Sequence, residues 1–338
     1  MSIDSVRADP RSPVNPEPVP ADPVRALFDL TVVVPCYNEG ANIGPAYEEI
    51  VAELGPELLE VLFVDDGSTD STLLRLRELA EVDPRVHYVS FTRNFGIEAA
   101  LGAGYRYASK PWLLHLDADL QFPPKEARLL MERACEGYDA VFGVRVNRAD
   151  PWLRRASSLV TGFIARRILG IEMPRGATMF RLLRSDLARR VVDLRLGTPY
   201  FLATLPRLTS AWTTVATAHR PRLHGRAKMR FPSLARHAME LFISHSQRPL
   251  ALAAAACLVA GVMAIGAASL VAYSLQLAVA LLAVAGAVGL LALAVMGRYL
   301  GHIGRSQSRP PLYLIREANI AVDPAEVLGR APALVGAS

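Results

Sequence analysis

The chain has 338 residues, a net charge of +5 and 51% hydrophobic residues, which is enough for one sizeable α/β domain and a smaller appendage. The modest positive charge comes with no basic–aromatic recognition motif, so no nucleic-acid partner is expected. Cys36, Cys135 and Cys257 are widely spaced; they suggest neither a disulfide framework nor a structural zinc site and agree with a reducing setting.

Residues 1–28 are rich in proline and lack the apolar core of a signal peptide, so they read as a disordered arm. From Leu30 to Val144 strand-like and helix-like runs alternate. Strands are expected at Thr31–Val34, Val61–Val64, Val86–Ser90, Trp112–Leu116 and Ala140–Val144. Helices are expected at Asn42–Leu54, Ser71–Glu81, Ile97–Ala108 and Pro124–Glu136. Such repetition predicts an α/β domain, residues 29–232, with a mostly parallel sheet and ligands at the carboxyl ends of its strands. For Pro206–His219 both sheet and helix stay open. Gly102-Ala103-Gly104 falls inside a predicted helix and lacks the third glycine of a dinucleotide fingerprint, so it reads as packing. His115 reads as core or crevice wall.

Two stretches mix basic and apolar residues: Trp152–Leu169, with Arg154, Arg155, Arg166 and Arg167, and Ser233–Gln247. Both have the character of helices lying in a headgroup layer, and 233–248 is assigned as an interfacial amphipathic helix. From Pro249 to Met296 there is no Asp, Glu, Lys or Arg. About 20 apolar residues suffice for one crossing, so 249–300 predicts two transmembrane helices, near 249–272 and 277–297. Their many small residues permit close association between the spans or between subunits, and so permit, without requiring, a homo-oligomer. Arg248 precedes the first span, and Arg298, Arg305 and Arg309 follow the second. The positive-inside rule therefore puts the large domain, both termini and the 301–338 tail in the cytoplasm of a multi-pass plasma-membrane protein.

Three polar clusters sit where predicted strands end: Pro35-Cys36-Tyr37-Asn38-Glu39, Asp65-Asp66-Gly67-Ser68 and Asp117-Ala118-Asp119-Leu120-Gln121. One such cluster is usually a capped turn, but three on one sheet edge converge on a single crevice. The third offers two carboxylates and an amide oxygen, a donor set for a hard divalent cation that would bridge a diphosphate.

The Pro-x-Tyr-Asn-Glu, Val-Asp-Asp-Gly-Ser-Thr-Asp, Arg-Asn-Phe-Gly and Asp-Ala-Asp-Leu-Gln-x-Pro-Pro runs resemble family 2 glycosyltransferases of GT-A fold. With two C-terminal spans, the chain resembles the polyprenyl-phosphate glycosyltransferases over about residues 30–300. The resemblance implies inverting transfer of a sugar from a nucleotide-sugar, UDP-linked by preference, to polyprenyl phosphate, with Mg²⁺ or Mn²⁺ as cofactor and membrane lipid as surroundings. It implies that Pro35, Tyr37 and Glu39 line the nucleotide pocket, Asp65 lies near the base and Asp66 near the ribose. Arg93 and Asn94 would border the donor, and Asp117, Asp119 and Gln121 would hold the metal. Arg145, Arg181 and Lys228 match basic positions for phosphate, where arginine can grip oxygens in pairs. The chain departs from the pattern at Arg175–Met179, which carries no acidic residue, at Ile97, and at Arg226-Ala227. The alternatives are a non-catalytic membrane scaffold and a processive polysaccharide synthase. The synthase lacks support, because Trp112, Trp152 and Trp212 form no Gln-x-x-Arg-Trp motif.

Overall fold

The computed structural model describes residues 28–55, 58–145, 162–164, 167, 170–171, 173–174, 176–194, 200–220, 242–243, 246–271, 274–308 and 311–328. Lys228, Arg175, nearly all of the 1–28 arm and most of both basic amphipathic stretches lie outside them.

The strands are β1 Leu30–Cys36, β2 Leu58–Asp65, β3 Val86–Phe91, β4 Trp112–His115, β5 Ala140–Arg145, β6 Ala177–Arg184, β7 Trp212–Thr217 and β8 Ile315–Ala318. They form one sheet in the order β7-β5-β6-β4-β1-β2-β3-β8. The pairs β1–β2, β1–β4, β2–β3 and β5–β7 are parallel; β6 runs antiparallel to both β4 and β5, and β8 antiparallel to β3. The central strand β1, Leu-Thr-Val-Val-Val-Pro-Cys, is buried along its whole length, as expected of a parallel strand covered on both faces.

Helices α1 Gly40–Leu54, α2 Thr72–Val82 and α4 Ala127–Cys135 cover one face, packing on Val32, Val34, Leu114, Phe180 and Leu182. Helices α3 Ile97–Tyr107, α5 Ser185–Asp193 and α6 Phe201–Leu208 cover the other, against Val33, Leu113, Phe142 and Leu183. A Cβ on Gly104 would lie 2.2 Å from the Val33 side chain, so this glycine lets α3 settle onto β1, and the packing reading holds. Pro206–His219 resolves as the end of a helix followed by a strand. Phe28, at the end of the expected arm, is instead part of the core, 5.1 Å from the Trp112 ring.

Helices α7 Arg248–Leu270 and α8 Leu275–Ser308 form the apolar hairpin. Arg248–Leu270 and Leu275–Gly301 are long and apolar enough to cross a membrane. Ala253, Ala260 and Ala267 are buried, as are Ala278, Ala285, Ala292 and Tyr299. This seven-residue spacing marks the seam along which two helices with small side chains lie close together. Large apolar residues such as Leu258, Val262, Ile265 and Leu290 face outward.

The 301–338 tail contributes a strand to the sheet. Beyond α8 the chain returns to the α/β domain, and β8 pairs with the exposed edge of β3. Tyr313 stacks on Phe91 with ring centroids 4.7 Å apart, and Ile315 is buried beside Val64 and Val89.

Candidate active site

Cys36, Asp65 and Ser90 stand in register at the carboxyl ends of β1, β2 and β3, so the loops that follow must share one edge. Hydrogen bonds stitch them together. The Asn38 backbone N–H donates to Ser68 Oγ at 2.9 Å, and Thr69 N–H donates to Asn38 Oδ1 at 2.8 Å. Glu39 N–H donates to Thr72 Oγ1 at 2.9 Å, and Glu39 itself accepts from Asn42 Nδ2. Asn38 adopts a left-handed backbone, φ 53°, which asparagine tolerates and which turns the chain sharply after the strand. Pro35 is buried within β1, while Tyr37 and Glu39 are half-buried at the crevice.

Asp65 and Asp66, expected near the base and the ribose, are both held by hydrogen bonds from the surrounding loops. Asp65 has no exposed surface; it accepts from Ser68 N–H at 2.9 Å and Ser90 Oγ at 2.7 Å. Asp66 accepts from Phe95 N–H at 2.6 Å, Gly96 N–H at 2.9 Å and Asn94 Nδ2 at 2.9 Å. It therefore draws the Arg93-Asn94-Phe95-Gly96 loop against β2. Burial pushes the Asp66 carboxyl up to about 6, outweighing the two backbone donors. Gly67 has φ +67°, and a Cβ there would fall 2.2 Å from the Arg93 backbone, so only glycine fits. Arg93 and Asn94 are exposed beside the crevice, with the Arg93 guanidinium 4.1 Å from the Phe95 ring centre.

On the other side of β1, β4 delivers the third cluster. Leu120 N–H donates to Asp117 O at 3.0 Å, and Gln121 N–H to Asp119 Oδ1 at 3.2 Å. Leu120 is left-handed, φ 49°, an unusual conformation for a bulky residue that marks local strain. Asp119 is largely buried and Asp117 partly exposed. His115 is fully buried, its Nε2 3.5 Å from Asp117 Oδ1, and burial lowers its pKa. Among the described residues no group of three His, Cys, Asp or Glu side chains could hold a metal. Two carboxylates and an amide oxygen on one turn still suit a Mg²⁺ or Mn²⁺ ion that takes its remaining ligands from diphosphate and water. By donor chemistry the residues fit.

The arginines divide. Arg145 ends β5 and lies 5.5 Å from the Phe122 ring centre, near the acidic turn. Arg181 has no exposed surface, and none of its guanidinium nitrogens hydrogen-bonds within the described residues. It sits opposite His115 in the β4–β6 register and 5.5 Å from the Tyr105 ring centre.

Sequence reasoning passed over Arg220. It donates from Nε to Leu120 O at 2.7 Å, from its backbone N–H to Gln121 O at 2.9 Å, and from Nη2 to Glu49 at 2.6 Å. No local pattern announces this role, since Arg220 reaches the turn only through the return of β7.

Comparison with known proteins agrees with the geometry. The model of "Glycosyl transferase family 2" matches residues 31–192. An undecaprenyl-phosphate 4-deoxy-4-formamido-L-arabinose transferase of Aeromonas hydrophila is 30% identical over 66% of this chain and 69% of the relative. The chain belongs to glycosyltransferase family 2. The transferase of the same name from Pseudomonas aeruginosa is 32% identical over 66% of this chain and 67% of its own length. The uncharacterized glycosyltransferase sll0501 of Synechocystis is 29% identical over 86% of this chain and 95% of the relative. A solved structure of glucosyl-3-phosphoglycerate synthase from Mycobacterium tuberculosis, with Mn²⁺, UDP and glucosyl-3-phosphoglycerate, is 18% identical, with a TM-score of 0.48 over 66% of this chain and 82% of that one. That likeness is too distant to bear on individual residues. The protein is a glycosyltransferase with a GT-A-type domain and a mixed, mostly parallel sheet.

Proposed function

We propose that this glycosyltransferase moves a sugar from a nucleotide-sugar, UDP-linked by preference, to polyprenyl phosphate at the cytoplasmic membrane face, with inversion at the anomeric carbon. The observation that carries the reading is one chain holding both a crevice formed by three converging polar loops and two helices of membrane-spanning length. An acceptor whose tail stays in the bilayer needs an enzyme tied to the same surface. The undecaprenyl-phosphate transferases among the relatives support that acceptor class. Flanking arginines support the cytoplasmic orientation, and the small-residue spans permit a homo-oligomer.

In this reading Tyr37, Glu39 and the Arg93–Asn94 loop border the nucleotide, with Asp65 near the base and Asp66 near the ribose. Asp66 keeps that loop in place, while Asp65 is anchored to Ser68 and Ser90. Asp117, Asp119 and Gln121 would hold Mg²⁺ or Mn²⁺, which when bound would offset the charge of the diphosphate. The acceptor phosphate, with a second pKa of about 6, is already largely ionised at neutral pH. Its oxygen attacks the anomeric carbon as the bond to the diphosphate breaks, releasing the nucleoside diphosphate. No strong base is required, which fits the missing acids at Arg175–Met179; positioning and charge stabilisation supply the catalysis. Arg145, Arg181 and Lys228 are the cations for the phosphates. A buried guanidinium with unmet donors, as at Arg181, gains most from an arriving anion.

The test combines calorimetric binding of UDP and GDP, with and without Mn²⁺, with sugar transfer to a polyprenyl phosphate. Metal-dependent binding of one nucleotide, lost in Asp119→Ala, together with transfer, is expected. Well-folded protein that binds neither nucleotide would favour the scaffold alternative and overturn the proposal.

A further inference from the structure

The strand that follows the second apolar helix reaches the same crevice. β8 pairs with β3 through Val89–Ala318, Ser90–Glu317 and Phe91–Ile315, so Arg316 is the extra residue of a β-bulge. A bulge re-aims a side chain away from the regular alternation of the strand. Here the Arg316 guanidinium donates from Nη2 to Ser90 Oγ at 2.9 Å and lies 3.7 Å from Asp65 Oδ2. Both partners are fully buried at strand ends, whereas the Arg316 side chain is 43% exposed. It is the member of the trio that can meet a ligand.

The segment carrying it is firmly held. Glu317 pairs with Arg77 through two hydrogen bonds and accepts from Tyr88 Oη at 2.7 Å. Asn319 accepts from Tyr88 N–H at 2.7 Å and donates to Val86 O at 3.1 Å. Arg106 pairs with Asp323 and Glu326, and Tyr107 donates to Glu326 at 2.6 Å. These contacts fix the backbone on both sides of the bulge, the condition for a side chain to select a ligand rather than sweep past it.

We propose that Arg316, supplied by the segment beyond the second apolar helix, reads the base of the donor nucleotide by donating hydrogen bonds to a ring carbonyl. This rests on the donor-crevice reading above. A guanidinium has donors only and keeps its charge at every physiological pH. It suits uracil O4 or guanine O6, which accept, and opposes the amino groups that cytosine and adenine carry at the matching positions. A residue that merely clamps β8 to the sheet would not distinguish these bases.

The experiment measures binding of UDP, CDP, GDP, ADP and inorganic pyrophosphate to the full chain in detergent with Mn²⁺. The variants are Arg316→Ala and Arg316→Gln, with thermal unfolding as the check on folding. Wild type should favour the carbonyl member of the UDP/CDP or GDP/ADP pair by about tenfold or more. Arg316→Ala should bring that ratio close to one while leaving pyrophosphate affinity unchanged. Should the alanine variant not fold, Arg316→Gln is read by the same ratio. An unchanged ratio, or an equal loss of all five ligands, overturns the inference and leaves Arg316 a structural clasp. Wild-type protein that binds no nucleotide overturns the donor-crevice reading as well, so the two failures are distinguishable.

Discussion

Arg220 Nε donates to the carbonyl of Leu120 at 2.7 Å, and this bond secures the one residue of the acidic turn whose backbone is left-handed. The left-handed conformation costs a bulky residue roughly 1–2 kcal/mol, and it persists because neighbouring groups over-determine it. Arg220→Ala should release the turn that aims Asp117 and Asp119. We expect nucleotide affinity in Mn²⁺ to fall about tenfold or more, with a stability loss of about 1–3 kcal/mol for the hydrogen bonds removed. Calorimetry and denaturant unfolding check the two parts. Full affinity in the variant would show that the turn holds itself.

Asp66 makes stability depend on pH in a defined direction. Its folded pKa of about 6 lies above the ordinary 3.8 because burial disfavours the charge. The stabilisation is therefore full below 3.8 and is lost as pH rises through about 6. Relative to Asp66→Asn, which does not titrate, wild-type unfolding free energy should drop by about 2 kcal/mol between pH 4 and 7, allowing for partial screening. Urea titrations of both proteins across that range read the difference. A difference that stays flat refutes the assignment.

Gly67→Ala meets two penalties at once. Its positive φ disfavours any side chain, and the added methyl would collide with the Arg93 backbone. Together these predict about 2–4 kcal/mol of destabilisation and weaker nucleotide binding, because the Arg93–Gly96 loop must move. Gly44→Ala, inside α1 with open space at its Cβ, should be neutral or slightly stabilising. Thermal unfolding of the pair separates site strain from ordinary helix propensity.

Tyr313 separates packing from hydrogen bonding in the returning segment. Its ring is buried against Phe91, and its hydroxyl has no hydrogen-bond partner among the described residues. Tyr313→Phe should change stability by less than about 0.5 kcal/mol, because no bond is lost. Tyr313→Ala should cost about 3–5 kcal/mol through the cavity it leaves. Exposing the β3 edge should also promote self-association, which light scattering would detect.

Much of this protein is legible in one dimension because its strongest signals are local. Continuous apolar runs such as Leu30–Cys36 declare buried parallel strands, and the uncharged stretch after Pro249 declares the hairpin. The motif at each strand end marks the crevice, since βα order alone puts successive carboxyl ends on one edge. What the motifs left undecided was how each carboxylate is used: burial turned Asp65 and Asp66 inward, onto Ser68, Ser90 and the Arg93–Gly96 loop.

The remainder depends on chain segments far apart in sequence. Arg220 meets Leu120 only because β7 returns beside β5, and Arg316 meets Asp65 only because β8 closes the free edge of β3. Periodicity and composition report how a segment divides apolar from polar surface over a few turns. They carry no record of which distant strand will satisfy an open edge. That choice is made by hydrogen-bond and apolar complementarity in the folded protein, and it gave this transferase two arginines at its crevice that no motif contains.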